Sequence, residues 1–443
     1  MTAKTQPPLI KSCRFTFCTL CLSVLLVTLS VPVGAQVQPG LPQDLKALIS
    51  EALQANPAIK EKVQMKTASK EAIRPAGALE NPEVSLGIMN LPVNTWSFSQ
   101  EDMTQAEIAV SQKIPFPGKR RLRSEVAEEQ NKADGFTLQD KINEIRSQVL
   151  QGYWNLSLAH ASYDITQRSK VLWEQVVQVA ETRYAVGRGM QADVLQAQVE
   201  LGSYLDRLFQ WQQRQESLRA EMNALRAKPS GTAISRPQPL KPRPLTLKLE
   251  NLLALAADQP QIQALQAQIA KQEKAVALAR KDFLPDFGVG VAYGFRENSA
   301  TVARPDNFTA SVSMSIPLWR NAKYKPKLRE QEALKNAAQE ARQSAWDRAA
   351  AAIKDRFVTL ERLSQQIKLY GKGIVPQAHQ AVEASLAAYR SGTLDFAGLN
   401  QNFIALYGAE LKWQEYLKDF EGTWAELELL VGQELPRVGG ATP

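Results

Sequence analysis

The sequence repeats itself once. Four unrelated landmarks return at a nearly constant spacing: Asn56-Pro57 as Gln259-Pro260, Pro82 as Pro285, Ile114-Pro115 as Ile316-Pro317, and Tyr184-Ala185-Val186-Gly187 as Tyr389-Arg390-Ser391-Gly392. The offsets are 203, 203, 202 and 205 residues. Solenoid repeats recur every roughly 20 to 50 residues, so each half here is a large supersecondary unit and not one tile of an array. Each half reads as helix, strand, strand, very long helix, tight turn, helix.

The first 35 residues are expected to serve export. Lys4, Lys11 and Arg14 precede the apolar run 15–31, and Val33-Gly34-Ala35 offers a small-residue cleavage site before Gln36. All three cysteines, Cys13, Cys18 and Cys21, fall in this segment, so the mature chain is expected to use neither disulfides nor thiolate metal sites. Leu20 precedes Cys21 where a lipidated cysteine would follow a small residue, so a lipid anchor is not expected. Five prolines, Pro229, Pro237, Pro239, Pro242 and Pro244, mark 228–244 as an extended connector, because proline blocks a continuing helix. The expected organisation is an export signal over 1–35, a first repeat over 36–227, the connector, a second repeat over 245–434 and a flexible tail over 435–443.

Charge does not point to nucleic acid. Without the three leader cations, 50 basic residues face 45 acidic ones, a net +5. That balance is mild, and an exported chain has little occasion to meet DNA.

Periodicity in the helices is strong. Val194, Ala197, Leu201, Tyr204, Leu208, Trp211, Gln215, Leu218, Met222 and Leu225 alternate steps of three and four, the seam of a coiled coil. Leu399, Phe403, Leu406, Glu410, Trp413, Leu417, Phe420, Trp424, Leu427 and Val431 repeat the pattern. Upstream, 119–183 and 326–388 are rich in good helix formers and carry one proline beyond the first turn, Pro376. Some 60 to 65 residues make a rod of roughly 90 to 100 Å. Its apolar stripe is too narrow for a globular core, so such helices must pack side by side.

Between the first helix and the long helix of each half lie two strands that alternate apolar with small or polar residues. Val84, Leu86 and Ile88 oppose Glu83, Ser85 and Gly87; Ala106, Ile108 and Val110 oppose Glu107, Ala109 and Ser111. In the second half Phe287, Val289, Val291, Tyr293 and Phe295 face away from Gly288, Gly290, Ala292 and Gly294. Phe308, Ala310, Val312, Met314 and Ile316 likewise face away from Thr309, Ser311 and Ser313. Runs of about 9 to 11 residues suit a tilted strand crossing the hydrocarbon layer. Trp96, Phe98, Phe116, Tyr293, Phe295 and Trp319 lie where interfacial girdles are expected. An antiparallel sheet covered on one face by helices shows the same alternation. Four strands cannot close a barrel, and known single-chain barrels start at about eight, so a membrane sheet must pool strands from two, three or four copies.

These residues resemble the TolC family of outer-membrane efflux proteins, including a narrower likeness to heavy-metal members around Met89-Asn90-Leu91-Pro92, 100–104 and 115–119. The carriers are the two-fold repeat, the run from Leu45 to Pro57, the turn Tyr184 to Gly187 leading to Asp193-Val194-Leu195-Gln196-Ala197, and the duplicated strand pairs. The resemblance implies a mainly α fold with a four-stranded β contribution: a long antiparallel α-helical barrel joined to a transmembrane β-barrel shared within a homotrimer. It implies a Gram-negative outer-membrane exit duct extending into the periplasm, partnered by a periplasmic adaptor and an inner-membrane pump of the resistance-nodulation-division type, or by a type I secretion system. Carried over residue by residue, Tyr184, Gly187 and Asp193 match the first pore-closing turn, and Tyr389 and Gly392 the second. Gly398 stands where the second acid is expected, with Asp395 the nearest carboxylate, so an acidic ring is in question on that side. The glycines alone need mean no more than a tight turn, and Asp193 no more than a carboxylate at a helix start.

Two basic runs follow the strand pairs, Lys119, Arg120, Arg121 and Arg123, then Lys323, Lys325, Lys327 and Arg329. Cations at a helix start oppose the helix dipole, so contact with anionic lipid headgroups, or a merely solvated helix surface, is expected. No catalytic constellation and no cofactor site is expected. His160 and His379 are the only histidines and neither sits in a nucleophile or zinc pattern. A periplasmic adaptor or a coiled-coil scaffold is the competing reading. The first should carry compact β domains and the second needs no amphipathic strands.

Overall fold

The computed structural model describes residues 41–437. The export segment with its cysteines and residues 438–443 lie outside the described residues.

The first repeat opens with α1 (Gln43–Ala55), α2 (Pro57–Glu71) and α3 (Ile73–Gly77). The Asn56-Pro57 landmark divides α1 from α2. Asn56 Oδ1 accepts from the Ala58 amide at 2.9 Å, a helix N-cap followed by proline at the first helical position. The Asn56 side-chain amide also donates to the Leu225 carbonyl at 2.8 Å, which ties this break to the far end of the repeat. Then come β1 (Glu83–Met89), β2 (Gln105–Ile114), α4 (Lys119–Ala185) and α5 (Gln191–Leu225). The second repeat supplies α6 (Leu249–Ala256), α7 (Pro260–Lys281), β3 (Asp286–Phe295) and β4 (Asn307–Ser315). It continues with a π-turn (Arg320–Tyr324), α8 (Lys325–Leu369), a second π-turn (Tyr370–Ile374), α9 (Val375–Ser391) and α10 (Phe396–Val431).

At 67 residues, α4 runs about 100 Å without interruption. Its counterpart is divided. Pro376 cannot donate to the preceding turn and its ring crowds the Lys372 carbonyl, and the chain absorbs this in the wide turn Tyr370–Ile374. β1 is shorter than expected from its apolar alternation, ending at Met89 because Asn90 turns to a positive φ of 53°.

The core is strung along the helices as three clusters. One joins α1 to α4 and α5 through Leu45, Leu150, Tyr153, Leu156, Leu218 and Met222. Its partner in the second repeat joins α6, α8 and α10 through Leu252, Ile353, Leu360, Phe420, Trp424 and Leu427. The third, nearer the turns, crosses the repeats with Trp173, Tyr204, Tyr389, Phe396, Leu399 and Phe403. The two expected seams are therefore the buried faces of α5 and α10, including the polar Gln215.

The proline-rich connector is a bound strap. The Gln238 amide donates to Tyr153 Oη at 3.2 Å, Tyr153 donates to Asp44 at 2.7 Å, and Ser157 donates to the Gln238 carbonyl at 3.1 Å. Arg236 pairs with Asp164. Further along, Arg243 lies 3.7 Å from the Trp424 ring centroid and bonds Glu421. The chain after α10 returns to the same place: Leu435 is buried, and Arg437 reaches Glu421 at 2.7 Å and Glu428 at 3.1 Å. The flexible tail expected from 435 is thus anchored through 437, because two buried glutamates need its guanidinium.

Two consequences can be measured. Glu421→Ala leaves Arg243 and Arg437 buried without their shared carboxylate and should cost about 3–5 kcal/mol, read as a lower thermal midpoint of the detergent-solubilised protein. An unchanged midpoint would show that the strap does not depend on this ion pair. His160 gives a pH signature. Burial, with Arg236 and Arg219 nearby, holds its pKa below the ordinary 6.5. The unfolded imidazole protonates first, so stability is full at neutral pH and declines as pH falls through 6.5. His160→Gln should flatten that decline in thermal melts between pH 7 and 5.

Candidate functional site

Two regions at opposite ends of the long helices hold the residues of interest, the sheet and the turns. The sheet has the order β1-β2-β3-β4, all antiparallel, with β2 and β3 joining the two repeats. Residues directly opposite in an antiparallel ladder share a face. Register therefore sorts the side chains. Leu86 pairs with Ile108, Ile108 with Tyr293 and Tyr293 with Phe308; Val84 pairs with Val110, Val110 with Val291 and Val289 with Val312. Ile88 pairs with Ala106 and Met314 with Phe287 in further rows of the same face, and with Ile316 just beyond β4 every strand residue expected to face lipid lies on one surface. All are exposed in the single chain, Leu86 by 79% and Val312 by 80%.

The opposite surface is small and polar. Ser85, Ala109, Ala292 and Thr309 form one row; Gly87, Glu107, Gly294 and Asn307 form the next; Ser111, Gly290 and Ser311 another. Among the described residues, no strand pairs with the outer edge of β1 or of β4.

Aromatics mark both ends of the strands. Tyr293 and Phe295 touch at 4.8 Å beside the loops, while Phe116 stacks on Phe287 at 6.5 Å and Trp319 is 73% exposed beside the helices. The two loops beyond the sheet are latched to each other. Arg304, nearly buried, pairs with Asp102 at 2.7 Å and donates to the Ser99 carbonyl at 2.9 Å.

At the helix end of the sheet the structure corrects one expectation. Lys119 is 3% exposed and does not reach outward. Its ammonium donates to Asp286 at 2.8 Å and to the Leu284 carbonyl at 3.2 Å, and lies 3.8 Å from Asp282. Asp286 also accepts from the Phe116 amide at 2.7 Å. A buried ammonium needs paired carboxylates, and these three groups lock the start of α4 to the start of β3. Of its neighbours, Arg120 donates to the Gly77 carbonyl at 2.7 Å, Arg121 pairs with Glu125 at 3.3 Å, and Arg123 is half-buried.

At the other end, Gly187 and Gly392 close the two turns with φ of 74° and 85°, a backbone that side chains with a Cβ resist. The matched tyrosines differ. Tyr184 is 50% exposed and Tyr389 is 1% exposed. Tyr389 packs in the third cluster, edge-on to Phe396 at 6.1 Å, and Arg183 covers it: its guanidinium lies 4.4 Å from the Tyr389 ring centroid and donates to the Tyr389 carbonyl and, at 3.1 Å, to the Arg188 carbonyl. Tyr389 Oη in turn donates to Asp193 at 3.4 Å. Burial, and then the Asp193 carboxylate, push the Tyr389 pKa up. Asp395 is occupied locally, capping α10 by accepting from the Gly398 amide at 2.9 Å. So the structure unites Asp193 and Tyr389, leaves Tyr184 free and spends Asp395 on a cap. Arg183 escaped the sequence reading, although the signal was there: the second repeat has Ala388 in its place.

A family model described as outer membrane efflux protein matches residues 48–227 and 252–433, the two repeats without the strap. The fusaric acid resistance protein FusA of Burkholderia cepacia is 23% identical over 194 residues, which cover 42% of this chain and 36% of that protein. The chain thus matches little more than a third of that relative's length. Among solved structures the chain is similar to the outer membrane protein VceC of Vibrio cholerae, with a TM-score of 0.75, 18% identity, and 88% of this chain and 96% of that one covered. It is also similar to a membrane protein of Pseudomonas aeruginosa, with a TM-score of 0.78, 15% identity, and 89% and 92% covered. Identities this low establish a shared fold.

The junction gives a prediction independent of any assignment. Lys119→Ala strips Asp282 and Asp286 of their shared cation and should cost about 3 kcal/mol. Faster proteolysis at the strand-to-helix boundary checks it, and Lys119→Arg should restore part of the protection.

Proposed function

This chain belongs to the outer membrane efflux protein family and is an outer-membrane efflux channel, and we propose that three copies assemble it into the exit duct of a tripartite pump. The carrying observation is the open sheet, greasy on one face, mostly small and polar on the other, and unpaired at both edges among the described residues. In hydrocarbon each unpaired backbone group costs several kcal/mol, so both edges need partners. Three copies joined β4 to β1 supply twelve strands, with the rows of Ser, Gly, Ala and Thr lining a wide lumen. The helices α4, α5, α8, α9 and α10 continue the tube into the periplasm.

The turns form the inner end. Arg183, Tyr389 and Asp193 hold the two hairpins of one copy together, and Tyr184, free in the single chain, meets the neighbouring copy. Near the same end, exposed Leu195 and Val199 of α5 and Ile404 of α10 line one groove. That groove suits a helical hairpin of a periplasmic adaptor, which links the duct to an inner-membrane pump of the resistance-nodulation-division type. A wide lumen of mostly small side chains, with the charged Glu83, Glu107 and Lys113 among them, discriminates little, so the pump sets the cargo. Fusaric acid, named for the relative in Burkholderia cepacia, and heavy-metal ions, suggested by the Met89 to Lys119 stretch, are the first cargoes to test by comparing growth of strains with and without the gene.

Val312→Arg places a cation on the lipid face near mid-strand, where it costs about 2–4 kcal/mol, and should lower the amount of protein recovered in the outer membrane. Chemical crosslinking of the detergent-solubilised wild type should give three linked copies; a monomer would refute the shared barrel. Arg183→Ala should raise the open probability of the purified channel in planar bilayers about tenfold, corresponding to loss of roughly 1.4 kcal/mol of cation–π and hydrogen-bond energy from the closed tip.

A further inference from the structure

The two basic runs that follow the strand pairs look alike in sequence and are used differently in space. In the first, Lys119 is buried, Arg120 is bonded to Gly77 and Arg121 to Glu125. The second lies open. From Ile316 to Arg329 the chain carries five cations, Arg320, Lys323, Lys325, Lys327 and Arg329, and no acid. All five are exposed. Among the described residues, only Lys327 has a carboxylate partner, Asp282 at 2.9 Å.

Directly before them the apolar strand surface runs on without a break. Ile316, Leu318 and Trp319 are 62%, 73% and 73% exposed. The wide turn Arg320–Tyr324 follows at once and brings Lys323 within 5.6 Å of the Tyr324 ring centroid. From Trp319 to Lys325 the chain rises about 9 Å at helical spacing, comparable to the roughly 5–8 Å depth of one headgroup layer. Aromatic first and cations second is the order in which a polypeptide leaves hydrocarbon for phosphate.

We propose that Arg320, Lys323, Lys325 and Arg329 form a binding surface for the phosphates of anionic phospholipids in the periplasmic leaflet of the outer membrane. The inference rests on the barrel reading above, which places Ile316 at the edge of the hydrocarbon. Charge complementarity and continuity with the greasy sheet face select a lipid surface over a protein partner. The groove suited to an adaptor lies at the far end of α8 and α9, about 90 Å away.

The test uses the full-length protein, purified in detergent, stripped of lipid and titrated with phosphatidylglycerol or phosphatidylethanolamine in mixed micelles. Wild type should prefer phosphatidylglycerol about tenfold at low salt, and the preference should shrink in high salt. Inorganic phosphate at equal concentration should compete weakly, since it lacks the acyl chains that the Leu318 and Trp319 surface receives. The quadruple variant Arg320→Gln, Lys323→Gln, Lys325→Gln, Arg329→Gln should lose the preference, and the charge-preserving Arg↔Lys exchange at the four positions should keep it. Equal affinity of wild type for both lipids, or a preference intact in the glutamine variant, overturns the proposal. So does loss of the trimer in the glutamine variant alone, which would assign these cations to the seam between copies, or loss of adaptor binding with lipid preference unchanged. Outer-membrane fractionation of wild type is read in parallel: correct fractionation without lipid preference sinks this inference only, whereas a soluble wild type removes the barrel reading and this inference together.

Discussion

The backbone groups along the outer edges of β1 and β4 are the constraint from which the rest of the molecule follows. A strand edge in water can be solvated, and a strand edge in lipid cannot. Residues 83–89 and 307–315 carry apolar side chains on one surface and, among the described residues, leave their outer edges open, so the sheet is at once suited to a membrane and incomplete in it. In the assembly proposed above, copies of the same chain supply the matching edges.

Away from the sheet, the helices solve a different problem. Their cores are narrow, and a narrow seam of Leu and Ala can slide. Polar residues within it fix the register: Gln215 donates to the Ala159 carbonyl at 3.3 Å, and Glu410 is met by His379 at 3.1 Å and by Arg168 at 3.4 Å. The strap adds a second restraint. By crossing from Tyr153 and Ser157 in α4 to Glu421 in α10, it holds the two repeats against each other.

Local patterns were readable in the sequence and long-range pairings were not. The step of two in residues 84–88, 106–110, 287–295 and 308–316 revealed both faces of the sheet, and the steps of three and four revealed the seams of α5 and α10. The repeat located both turns. Lys119 shows the limit. A run of four cations looks like a surface patch until Asp282 and Asp286, more than 160 residues away, are brought against it. Arg183 is hidden for the opposite reason: its partner Tyr389 belongs to the other repeat, and a two-fold pattern exposes matched positions, not the mismatch that holds the turns together. The strap was recognisable as non-helical from its prolines, but prolines say nothing about what an extended segment will grip.

The central pairing of the sheet, β2 with β3, joins residues as far apart as Ala106 and Phe295, 189 positions along the chain. Neither hairpin can find its neighbour until most of the polypeptide has been made, and contacts of such high order form late. Until residues 286–295 are in place, the apolar rows of β1 and β2 have no second hairpin to lie beside.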